Sequence, residues 1–135
     1  MALAHNLRLA SFLFMCLYVI GCGKAGFSVT GKLEDNGKPL TVSDKGMVNM
    51  NLVPVEDKSG ASVFPADVSK DGTFTVRPRG DGSLPTSGKY RVSIEIVDPY
   101  PGKDKLNGKF SGAKSPIVRE INGSANLTID IAKDQ

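Results

Sequence analysis

Between Tyr90 and Ile96 the chain alternates strictly: Tyr90, Val92, Ile94 and Ile96 are apolar, whereas Arg91, Ser93 and Glu95 are polar or charged. Side chains of a β-strand point to opposite faces with period two, so this run fits a strand with one face buried and the other wet. The same period recurs along most of the chain after residue 26, and no stretch of a dozen residues carries helical spacing. An all-β fold is expected.

Seven short strands are expected, over residues 27–33, 48–55, 61–68, 73–77, 90–96, 117–121 and 126–132. Asn36-Gly37 and Asp71-Gly72 between them are turn dipeptides that tolerate positive φ. Pro65 interrupts the third strand and suggests an edge position, because proline cannot donate to a ladder. The third and fourth strands read as a hairpin. Seven strands at this spacing predict two packed antiparallel sheets with Greek-key connections, a seven-stranded sandwich, with a barrel as the alternative. Residues 98–116 form a connection long enough to be either functional or mobile.

The N-terminal segment has a different character. Arg8 precedes an apolar run from Leu9 to Ile20, too short to span a bilayer and of the length of a signal-peptide hydrophobic region. Val19-Ile20-Gly21-Cys22 at its end resembles the bacterial lipobox. That resemblance implies a lipoprotein signal peptide over 1–21, cleavage before Cys22 and acylation of Cys22, with membrane lipid as the partner of that residue. Two or three acyl chains exceed what stable anchoring requires. Residues 22–26 then form a lipidated tether of roughly 15 Å at full extension, and 27–135 the domain. Such a chain is expected in the cell envelope, facing the periplasm or the exterior and held close to its bilayer.

Composition excludes several classes of chemistry for the segment after the signal. The one histidine, His5, and Cys16 fall in the removed part, and Cys22 is consumed by lipidation. No disulfide, Ser-His or Cys-His nucleophile or common zinc or copper ligand set is then available. Without Arg8, 16 basic residues face 14 acidic ones, spread along the chain rather than grouped, so nucleic acid is not an expected partner. Asp35, Asp57, Asp71, Asp81 and Asp104 fall mainly in turns, where carboxylates accept backbone N–H bonds. None of the turns extends to a calcium-ligating run. No enzymatic activity, metal or cofactor is expected. Asn122-Gly123-Ser124 and Asn126-Leu127-Thr128 are glycosylation sequons only in a host with that machinery.

A succession of short motifs carries a further resemblance: Val29-x-Gly31-x-Leu33, Asn36-Gly37-Lys38-Pro39-Leu40, Val48 to Pro54, Asp71-Gly72-Thr73-Phe74 and Gly88-Lys89-Tyr90-Arg91-Val92. Their order over residues 27–97 resembles the carboxypeptidase regulatory-like domains, a transthyretin-like (prealbumin-type) β-sandwich group. The segments 105–110, 115–120 and 126–131 are similar to the C-terminal part of small lipoproteins of planctomycete-type bacteria. The resemblance implies fold and location. It does not extend to the hydroxyisourate hydrolases, since their C-terminal Tyr-Arg-Gly-Ser has no counterpart in Ile129 to Gln135. Among related surface domains some form a Lys-to-Asn isopeptide bond, and Lys32 with Asn126 hold the corresponding positions. The alternation turns both toward solvent, which argues against the bond.

Two functional expectations follow. One is a non-catalytic envelope module with a structural or protein-interaction role. The other is a glycan- or peptide-binding module using the 98–116 loop, with Tyr100 and Phe110 as its contact surface. The absence of Trp and an aromatic content of 7% weigh against a carbohydrate platform.

Overall fold

The computed structural model describes residues 26–134. Cys22 and the expected signal peptide lie outside the described residues. Eight strands follow in order: β1 (Val29–Asp35), β2 (Lys38–Pro39), β3 (Met47–Pro54), β4 (Phe64–Val68), β5 (Thr73–Val76), β6 (Gly88–Val97), β7 (Val118–Ile121) and β8 (Ala125–Asp130). The all-β expectation holds among the described residues, where a short 3-10 turn at Gly112–Lys114 interrupts the strands. The strand added to the seven expected is β2, created where Asn36 and Gly37, at φ of 52° and 77°, fold β1 back on itself in a two-residue turn.

All strands belong to one continuous sheet. Its neighbours run β8, β1, β5, β4, β3, β6, β7, with β2 flanking β1 beside β5. Every pair is antiparallel except β1 with β8, which is parallel over six rungs from Val29↔Ala125 to Glu34↔Asp130. This corrects the wholly antiparallel expectation. Single-strand periodicity carries no information on direction, and here both terminal strands run the same way. The outermost strands β7 and β8 are joined by residues 122–124 alone, and the inward residues of every strand but β2 enter one cluster. The sheet is therefore curled around a single core. Val29, Leu33, Leu52, Val92, Ile94, Ile121 and Ile129 are fully buried in it.

Side-chain bonds tie the seam between β7 and β8. Arg119 of β7 donates from Nη2 to the Thr128 carbonyl at 3.4 Å and pairs with Asp134, whose Oδ2 accepts Asp130 N–H at 2.9 Å. Ile131 N–H donates to Glu34 O across the parallel ladder. Thr128 O and Asp130 N–H therefore face the other, outer edge of β8, because successive backbone groups alternate sides.

One local expectation is corrected. β4 is not an edge strand, as it pairs with β3 and β5. Pro65 is tolerated because its carbonyl accepts Arg77 N–H at 2.7 Å while its missing donor falls on that same side, beyond the last β4–β5 rung at Ala66↔Val76. The 98–116 connection and the residue after it run back along β6, where Ile96 O accepts Lys105 N–H, Phe110 O accepts Ile94 N–H and Ile117 O accepts Val92 N–H.

Candidate functional site

The strands place two surfaces at opposite ends of the sheet. The first lies where the chain enters the fold. Gly26 packs against Leu84, and Phe27 N–H donates to Pro85 O at 2.7 Å. Beside this entry, the end of β3, the start of β4, the start of β6 and the 78–87 connection enclose a cleft of about 380 Å³.

Its floor is aromatic. The Phe64 and Tyr90 rings meet edge to face, 6.0 Å apart and 73° between planes. Tyr90 turns its hydroxyl to the backbone of Thr86, accepting the N–H at 3.0 Å and donating to the carbonyl at 2.8 Å. Arg79 lies over Phe64, its Cζ 5.2 Å from the ring centroid, and its Nε and Nη2 donate to Ser83 Oγ and Asp81. Glu56 and Lys89, both exposed, line the cleft together with Thr86 and Ser87. Ser83 Oγ and N–H hold the Asp81 carboxyl well below the usual carboxylate range, helped by Arg79.

The second surface is the opposite end, built from the 41–46 and 98–108 segments. Ser43 Oγ, then Ser43 N–H and Lys105, lower the pKa of Asp98. Tyr100 N–H donates to Lys45 O. Pro99 and Pro101, each with its own φ fixed by its ring, flank Tyr100, and that residue is 58% exposed. Below it Asp104 accepts N–H groups from Ile96, Leu106 and Gly108 at 2.9, 3.0 and 2.7 Å. Burial works against that charge, but the three donors outweigh it and the pKa is lowered.

Tyr100 and Phe110, joined in one expected contact surface, are not brought together as such. Tyr100 is exposed, whereas Phe110 is 2% exposed and packs in the core. Its carbonyl accepts Ile94 N–H, which holds its backbone beside the edge of β6. Lys32 and Asn126 both face solvent and do not share a rung: Lys32 faces Thr128 and Asn126 faces Thr30.

Of the turn carboxylates, Asp57, Asp71 and Asp81 each accept bonds from the Ser or Thr two residues on. Among the described residues no three His, Cys, Asp or Glu side chains group to hold a metal ion.

The sequence reading passed over Asp130 and the cleft. Asp130 is 7% exposed and accepts the N–H groups of Asn36, Gly37 and Ala132 at 2.9, 2.8 and 3.0 Å, clasping the β1–β2 turn to the C-terminal end. Its residue type at the end of an alternating strand was the available signal. The cleft combines residues from 54 to 90, and no local pattern joins them.

No protein-family model matches the chain, and no curated protein does. Two solved chains match. One is a DUF3823 family protein from Bacteroides ovatus ATCC 8483, 18% identical, with a TM-score of 0.49; the match covers 77% of this chain and 44% of that one. This chain thus spans less than half the length of that relative.

Proposed function

We propose that this chain is a lipid-anchored, non-catalytic module of the bacterial cell envelope, with a structural or protein-interaction role. The observation that carries the reading is the entry of the chain. Gly26 and Phe27 are already fixed against Leu84 and Pro85, so the ordered fold begins four residues after Cys22 in sequence. Acylated there, the domain rests one end on its bilayer and turns the Tyr100 end away from it.

We also infer that the curled sheet is a transthyretin-like sandwich of the carboxypeptidase regulatory-like kind. The Tyr90 hydroxyl returning to the Thr86 backbone supports this, since a tyrosine bonded a few residues upstream recurs in Greek-key sandwiches.

Intact mass and membrane fractionation of the native chain beside Cys22→Ala test the anchor. Acylation mass on the native protein, with membrane association lost in the variant, is the expected result; an unmodified, freely soluble native protein sinks it.

The second reading, peptide or glycan binding, draws on the exposed ring of Tyr100 alone. It predicts that Tyr100→Ala abolishes capture of envelope partners while leaving the anchor intact. Partner capture unchanged by that substitution overturns it.

A further inference from the structure

The cleft beside the chain entry gathers two charged groups that the fold does not use and one edge of a third that it holds in place. Among the described residues, the Glu56 carboxylate and the Lys89 ammonium engage no ion pair. Arg79 holds Ser83 with Nε and Asp81 with Nη2, which leaves Nη1 open. Two hydrogen bonds and the Phe64 ring immobilise that guanidinium, so its free edge is set in place before any ligand arrives. Two cations, one carboxylate and two hydroxyls over an aromatic floor suit a compact zwitterion carrying a phosphate and a primary ammonium. The phosphate meets Arg79 and Lys89, and the ammonium meets Glu56. A cleft of about 380 Å³ is at the small end of ligand sites, in keeping with such a molecule.

Position narrows the source. Leu84, which lines the cleft, is the residue Gly26 packs on. The lip of the cleft is therefore within about 15 Å of the Cys22 backbone at full extension. We propose that this cleft binds the phosphoethanolamine headgroup of a phospholipid in the membrane that holds Cys22. The lipid as source rests on the anchor reading above; the zwitterion chemistry does not. Tethering supplies a millimolar-range local concentration, so a weak site is sufficient to fix how the domain sits on the bilayer.

The test uses the full chain, labelled with ¹⁵N and extracted in an uncharged detergent, titrated with sn-glycero-3-phosphoethanolamine. Saturable shifts of the Arg79 and 86–90 amides are expected. Lys89→Gln weakens binding about tenfold, the usual consequence of losing one charge-assisted bond. Glu56→Gln removes the preference over the phosphocholine analogue, whose quaternary ammonium has no N–H to donate. Both side chains are exposed, so the rest of the spectrum reports an intact fold. Absence of shifts overturns the site, and inorganic phosphate matching the probe in shifts and affinity overturns the headgroup assignment. Intact mass of the same sample separates the two readings: an unmodified Cys22 removes the lipid source even where the cleft responds.

Discussion

Replacing Ile94 with alanine deletes a fully buried side chain from the middle of β6. The cost is the lost transfer of those methyl groups plus the cavity left behind, about 2–5 kcal/mol, read as a lower denaturant midpoint at unchanged slope. Tyr100→Ala, by contrast, removes an exposed ring and moves stability by no more than about 0.5 kcal/mol. Equal losses at the two sites would contradict the assignment of core and surface. The carboxylates add a pH dependence of definite sign. Asp57, Asp71, Asp81, Asp98, Asp104 and Asp130 all titrate below the ordinary value of 3.8 in the folded chain. For Asp130, burial opposes the charge, and Lys133 with the N–H groups of Ala132, Gly37 and Asn36 overcomes it. A depressed folded pKa contributes stability above the unfolded value, and that contribution is lost as pH falls through the lower one. The melting temperature is therefore expected to hold between pH 7 and 5 and to drop as pH goes below about 4. A flat profile down to pH 2 would show that these bonds do not favour the folded state.

Strands were the most legible level of this chain, because burial imprints period two on sequence. β6 came out with the faces that Tyr90, Val92, Ile94 and Ile96 imply. β4 with β5 formed the expected hairpin. Pairing partners were not legible: nothing local tells β8 to lie beside β1, or Pro65 that its vacant donor side runs past the end of β5. Gly31, a glycine inside an alternating strand, is a point of close approach, and the parallel pair explains it. A Cβ there would sit 2.0 Å from the Leu127 carbonyl and 2.6 Å from the Phe74 ring. Gly31→Ala is expected to push β8 off β1 and cost about 1–3 kcal/mol or more. Urea unfolding measures this, and a neutral result would mean that β8 does not pack on β1 at this rung. The first strand also began later than its pattern, at Val29, since Phe27 bonds the 78–87 connection instead of a neighbouring strand.

At the level of the assembled sheet, closure depends on few groups. Arg119→Ala takes away the bond to Thr128 and the partner of Asp134, so faster hydrogen exchange is expected at Asp130 N–H and its neighbours in β8, with little change in β3 and β6. Protection of β8 unchanged in the variant would show that the seam is held by something other than these side chains. The two surfaces divided in the same way as the strands. Tyr100 was visible as an aromatic of the long 98–116 connection, whereas the cleft exists only after β3, β4 and β6 are brought to one end. The parallel pairing of β1 with β8 has a mechanical meaning as well. The chain enters at the start of β1 and leaves at the end of β8, so tension between the two termini pulls these strands along their length in opposite directions. All six rungs from Val29↔Ala125 to Glu34↔Asp130 then bear the load together instead of unzipping one by one. A domain pinned at its first residues and drawn on at its last would resist stretching by shear.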